Sequence, residues 1–275
     1  MIRRCLLLLV ALLSGCSSGT GDEPATDDRL VVLGPSLVEM MCVAGLGPRI
    51  VGVDRYSAWP PSILSVQDVG GYSDPSLELI GSLAPTSIHL IGHNAALGEL
   101  ASTMGIPIHS YRFDTLDDIL ASADTIGRLY GDSVDLRGDL EAALDSVSGS
   151  RAGLESYSVL VVVYHEAEAS GMTVAGHGTF LDDLLQRLGC SIAAPVGAGP
   201  WPAVSVEGIL HLSPDRILCM FPDSPDTSRT AASEYAFWSG VGYEPPVVQC
   251  IFDPFVLVPG PRVARTAGRI AECLR

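Results

Sequence analysis

The sequence has 275 residues and a mass of 28.9 kDa, and its 16 basic residues, all arginine, face 32 acidic residues. The resulting formal charge of −16 excludes nucleic-acid binding as a primary function, because phosphate backbones are repelled by so acidic a surface. Charged residues make up 17% of the chain and hydrophobic residues 47%, a composition typical of a globular protein and not of a disordered one.

The N-terminus has the pattern of an export signal. Two arginines precede a nine-residue apolar run, Cys5 to Leu13, which is shorter than the about 20 residues of a membrane span. The run leads into Ser-Gly-Cys16, which resembles the bacterial lipobox, in which the cysteine is lipidated and becomes the mature N-terminus. We therefore predict a signal peptide over residues 1–15 and a flexible, lipid-anchored tether over residues 16–28. This arrangement would hold an extracytoplasmic protein on a bacterial membrane.

Strand-like and helical segments alternate over residues 29–131, which we assign to an N-terminal α/β lobe. Such alternation predicts a parallel sheet, because parallel strands require crossover connections, which are usually helices. The predicted strands are Leu30–Leu33, Ile50–Val53, Ser87–Ile91 and Ile106–Tyr111. The predicted helices are Leu37–Ala44, Leu77–Leu83, Leu97–Met104 and Leu116–Tyr130.

Residues 132–155 contain no strand candidate. Apolar side chains recur there at helical spacing, at Leu136, Leu140, Leu144 and Val147. The spacing predicts one long amphipathic helix of about six turns that joins two lobes. A single stiff helix between lobes also predicts little hinge closure.

The alternation of strands and helices resumes over residues 156–275, which we assign to a C-terminal α/β lobe. The predicted strands are Ser158–Tyr164, Ser191–Ala194, Arg216–Met220 and Val247–Ile251. The predicted helices are Phe180–Leu188, Val206–Leu212 and Pro261–Leu274, with a further helix inside Ser224–Ser239. The predicted fold is therefore two doubly wound α/β lobes joined by one helix. A ligand cleft would lie between the lobes, at the carboxyl ends of the strands.

The common catalytic motifs G-x-S-x-G, G-x-G-x-x-G, H-E-x-x-H and the Walker loop are absent from the sequence. We therefore predict that the protein is not an enzyme, with no catalytic residue, resident metal or cofactor. Two alternatives remain at this stage. An exported metal-dependent hydrolase would use His165, Glu166, Glu168 and His177, and a direct metal-ion binder would use His89, His93 and His165.

Aromatic residues are few, and many lie in loops that also contain proline and glycine. They include Tyr56, Trp59, Tyr72, Trp201, Phe252 and Phe255. A sheet core does not need aromatic residues in these places, and the prolines stiffen the loops. The pattern indicates a rigid apolar surface for a large ligand.

The segments GPSLVEMMCVAGLGPRIVGVDRYSAWPP, VGGYSDPSLELIGSLAP and GPWPAVSVEGILHLSPDRIL resemble the solute-binding proteins of ABC importers for cobalamin, iron-siderophores and haem. The resemblance runs from Leu30 to the C-terminus. It implies a monomeric lipoprotein that captures a bulky metal chelate and delivers it to a permease with ATPase subunits. The Trp-Pro-x-Val-Ser-x-Glu segment favours cobalamin or another corrinoid. Siderophore or haem is the alternative, although the cleft loops offer few bases beyond Arg55 and Arg112 for an anionic ligand.

The same resemblance implies roles for residues in the cleft. Cobalamin-binding members have cleft residues that match Tyr56, Tyr72 and Trp201, and an aspartate that matches Asp253 in a loop one residue longer here. The resemblance places Tyr72 where a cobalamin-binding member has tryptophan, a change that keeps a flat ring. The metal would arrive inside the ligand as cobalt or iron, and no protein side chain is expected to bind a metal ion.

Docking residues are implied as well. In the family, one glutamate on each lobe binds arginines of the permease, and these positions match Glu78 and Glu207. A carboxylate suits this task, because it offers arginine a bidentate acceptor.

The cysteines fall into two groups. The resemblance implies a disulfide between Cys190 and Cys273, which would stabilise the C-terminal lobe by about 2–4 kcal/mol. Cys42, Cys219 and Cys250 lie in predicted core segments and are expected to be buried free thiols.

Overall fold

The computed structural model describes residues 28–131, 135–150, 155–165, 171–222, 230–244 and 247–275. The predicted signal peptide, the lipid-anchor residue Cys16 and nearly all of the tether lie outside these residues, as do Glu166 and Glu168. The described residues form two α/β lobes, each with its own sheet. None of the described helices is both long and apolar enough to cross a bilayer.

The first lobe contains a fully parallel sheet. In chain order its elements are β1 (Leu30–Leu33), α1 (Pro35–Val43), β2 (Ile50–Val53), β3 (Gln67–Asp68), α2 (Leu77–Ser82), β4 (Ser87–Ile91), α3 (Ala95–Met104), β5 (Ile108–Tyr111) and α4 (Leu116–Tyr130). The five strands pair in the order β3-β2-β1-β4-β5. Every predicted strand and helix of this lobe is present. The two-residue strand β3 was not predicted, because both of its residues are polar and exposed.

Helix α4 begins and ends at the predicted residues for a local reason. Thr115 and Asp118 form a capping box at its N-terminus, and Gly131, with a φ of 87°, ends it. The next helix is α5 (Leu136–Gly149), which begins after Asp135 accepts a hydrogen bond from the Gly138 N–H. The connecting helix is therefore shorter than the six turns predicted, since Ser150 caps its C-terminus.

The second lobe contains a mixed sheet. Its elements are β6 (Ser158–His165), β7 (Met172–Val174), α6 (Phe180–Arg187), β8 (Ser191–Ile192), β9 (Ala203–Val204), α7 (Val206–Leu212), β10 (Arg216–Phe221), α8 (Ala231–Val241), β11 (Val248–Phe252) and α9 (Val263–Cys273). The path β11-β10-β6 is parallel, and β8 also pairs in parallel with β6, whereas β7 and β9 run antiparallel. The predicted second α/β lobe is present, but the antiparallel strands β7 and β9 were not predicted, because they are only three and two residues long.

One apolar cluster of the described residues continues from the first sheet to the second. It includes Val32 of β1, Ile119 of α4, Leu144 of α5, Val161 of β6 and Ile270 of α9, all essentially inaccessible to solvent. Helices α4, α5 and α9 thus fill the space between the sheets. Movement of one lobe against the other would expose this surface, which opposes a large hinge motion.

The cysteines of the described residues are all free thiols, so the predicted disulfide between Cys190 and Cys273 is corrected. Helix α9 is held instead by packing against α5 and α6, with Val263, Ala267 and Ile270 buried. Cys42, Cys219 and Cys250 are free as predicted, although only Cys219 is fully buried.

Candidate functional site

A cavity of about 330 Å³ lies between the lobes, where strands of both sheets end. Its apolar lining comes from both sides, chiefly Tyr72, Ile91 and Phe113 of the first lobe and Phe180, Trp201 and Leu257 of the second. Its volume falls in the range of small-molecule sites. A ligand with an apolar face could contact this surface from both lobes.

Asp54, which follows β2 and is 1% exposed, shapes the wall in the first lobe. Its carboxylate accepts hydrogen bonds from the Gly34 N–H at 2.7 Å, the Tyr56 N–H at 3.0 Å and the Ser57 hydroxyl at 2.8 Å. Gly34 has a φ of 116°, and a Cβ there would lie 2.6 Å from the Ile91 side chain. These contacts fix the turn from β1 into α1, whose first residues line the cavity. Sequence analysis missed Asp54, although an acid directly after a buried strand was a usable signal.

Asp253 has the same kind of task in the second lobe. It follows β11, and its carboxylate accepts hydrogen bonds from the Phe255 N–H at 3.0 Å and from Arg265 at 2.7 Å. Asp253 is 7% exposed and does not line the cavity, because both of its oxygens are used in this loop. The structure gives Asp253 a loop-forming role, and Leu257 and Val258 of the same loop reach the cavity.

The structure brings together two of the three predicted aromatic residues. Tyr72 and Trp201 line the cavity from different lobes, and they are 47% and 44% exposed. Tyr56 is 60% exposed and lies outside the lining. Phe113 and Phe180, which sequence analysis missed, follow β5 and begin α6. Their positions beside strand and helix ends were the available signal.

Charge in the cavity is sparse. Among the described residues that line the cavity, Asp114 carries the single charge, and none has a basic side chain. Asp114 forms an exposed ion pair with Arg112 at 3.1 Å, while Arg112 itself and Arg55 lie outside the lining. A site of this composition favours a neutral or cationic ligand surface over an anionic one.

Glu78 and Glu207 occupy matching places on the two lobes. Each is the second residue of a short helix, α2 or α7, and each side chain is exposed. Ser76 and Ser205 cap these helices by accepting hydrogen bonds from backbone N–H groups. Hydrogen bonds from its own backbone N–H and from Ser205 lower the pKa of Glu207. Both carboxylates are thus presented to solvent at helix N-termini, where negative charge is favoured.

A buried ion pair joins α1 to the residue before α9. Glu39 is 2% exposed, and Arg262 donates two hydrogen bonds to it, one of them from Nε at 2.9 Å. Burial raises the pKa of Glu39, although Arg262 opposes the shift. The guanidinium also lies 4.6 Å from the ring centre of Trp59 and 3.5 Å from that of Phe255. Sequence analysis did not connect these four residues, because Glu39 and Arg262 are 223 positions apart.

The histidines do not form a metal site in the part of the chain that the structure describes. His89 is buried in the first sheet and forms hydrogen bonds with Ser87, Tyr111 and Tyr130, while burial lowers its pKa to about 3. His165 is buried in the second sheet, where it pairs with Glu234 at 2.8 Å. The two therefore lie in different lobes, and the direct metal-ion binder is not supported.

The two lobes, the cavity between them and its paired aromatic walls define a solute-binding protein of the two-lobed class. The model of the periplasmic binding protein family matches residues 30–233, and the chain belongs to this family. Proteins of this family act outside the cytoplasm.

The chain is similar to several characterised proteins. It is 26% identical to the vitamin B12-binding protein of Vibrio parahaemolyticus over 223 residues, which cover 79% of this chain and 76% of that protein. The fold is shared with the haem-binding protein HutB of Vibrio cholerae, with a TM-score of 0.76, 23% identity, and coverage of 90% of this chain and 99% of that one. It is also shared with the vitamin B12 binding protein BtuF of Vibrio cholerae, with a TM-score of 0.72, 20% identity, and coverage of 90% and 96%.

Proposed function

We propose that the protein is the substrate-binding component of an ABC importer and that it captures cobalamin or another corrinoid between its lobes. The observation that carries the proposal is the cavity, which has aromatic walls from both lobes and no basic side chain in its described lining. A corrinoid offers a broad face for these rings and carries neutral amides at its edge. The relatives named as vitamin B12-binding proteins support the same choice.

Capture in this proposal is non-covalent and needs no chemical step. Tyr72 and Trp201 would contact opposite sides of the ligand, and the apolar side chains behind them would exclude water. The hydrogen bonds that the Asp54 and Asp253 carboxylates accept fix their loops before the ligand binds. This lowers the entropic cost of ordering the site. ATP would be hydrolysed by a separate subunit of the importer.

Delivery would use the two exposed glutamates. Glu78 and Glu207 lie on different lobes with the same local structure, which suits a permease surface that offers one arginine cluster to each lobe. The predicted lipid on Cys16 would keep the loaded protein near that permease. Mass spectrometry of the membrane-extracted protein tests the anchor, since an unmodified N-terminus would contradict it.

Haem is the second candidate ligand. The shared fold with a haem-binding protein and the phenol oxygen of Tyr72 at the cavity, a group able to bind iron, favour it. The lack of basic side chains in the described lining disfavours it, because haem propionates are anionic.

The deciding experiment is equilibrium binding to residues 17–275, with cyanocobalamin and haemin titrated separately and followed by tryptophan quenching. We expect one-to-one binding of cyanocobalamin that survives size-exclusion chromatography, and weaker binding of haemin. Stronger binding of haemin would overturn the corrinoid assignment and retain the transport role. Binding of neither ligand would move the assignment to ferric siderophores.

A further inference from the structure

We propose that Arg262 is a positioning residue that ties the two walls of the cavity together and so sets their separation before any ligand binds. The inference rests on the proposed function in one respect, that the cavity is the ligand site. It concerns a residue that does not itself line the cavity.

The contacts of Arg262 come from both lobes. Glu39 and Trp59 belong to the first lobe, and Phe255 belongs to the second. The guanidinium donates from Nε and Nη2, which form one edge of its plane, to the Glu39 carboxylate, and it lies against two aromatic rings at 4.6 and 3.5 Å. One planar cation therefore contacts three residues at the place where the lobes meet.

Two of these partners, Glu39 and Phe255, lie close in sequence to residues that line the cavity. Glu39 lies one helical turn after Pro35 and Ser36, which line the cavity from the first lobe. Phe255 lies two residues before Leu257, which lines it from the second lobe. A shift of the guanidinium would move both walls, because the first wall is on the same helix as Glu39 and the second is on the same short loop as Phe255.

The backbone at this point leaves little freedom. A Cβ on Gly260 would lie 3.3 Å from the backbone oxygen of Ser36, so the loop before Arg262 passes close to the start of α1. On the far side of that loop, Arg265 holds Asp253 at 2.7 Å. Two arginines one helical turn apart thus fix both ends of the loop that contains Leu257.

A buried ion pair is by itself weak support for stability, since two charges must lose their hydration. What this pair provides is geometry, because a guanidinium binds a carboxylate through two parallel hydrogen bonds in one plane. Lysine would keep the charge and lose both the fork and the ring contacts. The conservative change is therefore informative.

The test compares Arg262→Lys and Glu39→Gln with the wild type in ligand-free protein, by hydrogen exchange and mass spectrometry. The matched control is Arg137→Lys, which alters an exposed ion pair with Asp124 at 2.9 Å away from the cavity. We expect exchange about tenfold faster or more in residues 35–41 and 253–263 for both variants, because the change to lysine loses the two-point contact and the change to glutamine leaves the buried guanidinium without its counter-charge. Helix α3 serves as the internal reference, and its exchange should stay unchanged.

Unchanged exchange in both cavity segments would overturn the proposal, and so would an equal increase in α3, which would indicate a general loss of stability. Should either variant fail to fold, Trp59→Leu keeps the ion pair and removes one ring contact, and it should produce a smaller increase in the same two segments. Its failure to do so would also overturn the proposal.

Titration of the same proteins with cyanocobalamin separates this inference from the proposed function. Faster exchange together with weaker cyanocobalamin binding would support both. Faster exchange in a protein whose wild type binds no cyanocobalamin would leave the role of Arg262 standing and overturn only the ligand.

Discussion

Two buried aspartates do similar work on opposite lobes. Asp54 and Asp253 each follow a strand directly, and each accepts the backbone N–H two residues further on. The carboxylate closes the loop, and the residues beyond it are then free to face the cavity. Asp253 thus holds its loop in place through the Phe255 N–H and Arg265.

At the same scale, two of the three aromatic residues predicted for the cleft, Trp201 and Tyr56, differ in a testable way. Trp201 lines the cavity, whereas Tyr56 lies outside its lining. We expect Trp201→Ala to weaken cyanocobalamin binding about tenfold or more, because it removes a large flat contact surface. Tyr56→Ala is the matched control and should change the dissociation constant much less. Equal losses in an equilibrium titration would show that Tyr56 also contacts the ligand.

His89 gives the first lobe a specific response to acid. Its pKa of about 3 in the folded protein lies below the 6.5 of a free histidine, so the unfolded chain takes up a proton first as pH falls. The contribution of His89 to the free energy of unfolding should therefore be complete above pH 6.5. As the pH falls from 6.5 to 3, this contribution should decrease by about 1.4 kcal/mol per pH unit.

Urea denaturation at several pH values measures this effect. His89→Gln should flatten the pH dependence, and His211→Gln, at an exposed position, should leave it as in the wild type. Parallel curves for wild type and His89→Gln would contradict the prediction.

At the scale of elements, α2 and α7 repeat one construction. Each begins at a serine cap with a glutamate as its second residue, and together they place a carboxylate on each lobe. We expect Glu78→Arg and Glu207→Arg to reduce transport strongly in cells with the cognate permease, because opposite charges would become like charges.

Ligand binding by these two variants should be unchanged, since neither residue lines the cavity. Glu99→Arg, on the exposed face of α3, is the control for a general charge effect. Full transport by the Glu78 and Glu207 variants would exclude them from docking. Loss of cyanocobalamin binding would instead place them at the ligand.

Element ends show where local sequence was sufficient. Helix α4 was predicted at both ends, because Thr115, Asp118 and Gly131 are local signals of a helix start and stop. Helix α5 was predicted too long, because the prediction covered residues 132–155 whereas the apolar spacing runs only from Leu136 to Val147, inside the caps at Asp135 and Ser150. Strands β7 and β9 were missed, because three and two residues are too few to show an alternating pattern.

For the whole molecule, the shared apolar core opposes lobe closure. Scattering profiles of the ligand-free and cyanocobalamin-bound protein should superimpose, because hinge motion would expose the surface that α4, α5 and α9 bury between the sheets. The Arg262→Lys variant is an informative comparison, since it loosens a second link between the lobes. A marked compaction of the wild type on binding would contradict a preformed cleft.

The sequence by itself determined the alternation of strands and helices, the division into two lobes and the aromatic loops, because periodicity, caps and loop composition are properties of neighbouring residues. Tertiary structure alone decided which of those residues meet. It placed Tyr72 and Trp201 on the wall of one cavity and directed the Asp253 carboxylate to the backbone of its own loop. It also left Cys190 and Cys273 as free thiols and paired Glu39 with Arg262. Such contacts join residues far apart in the chain, so they arise from the packing of whole elements and leave no local pattern.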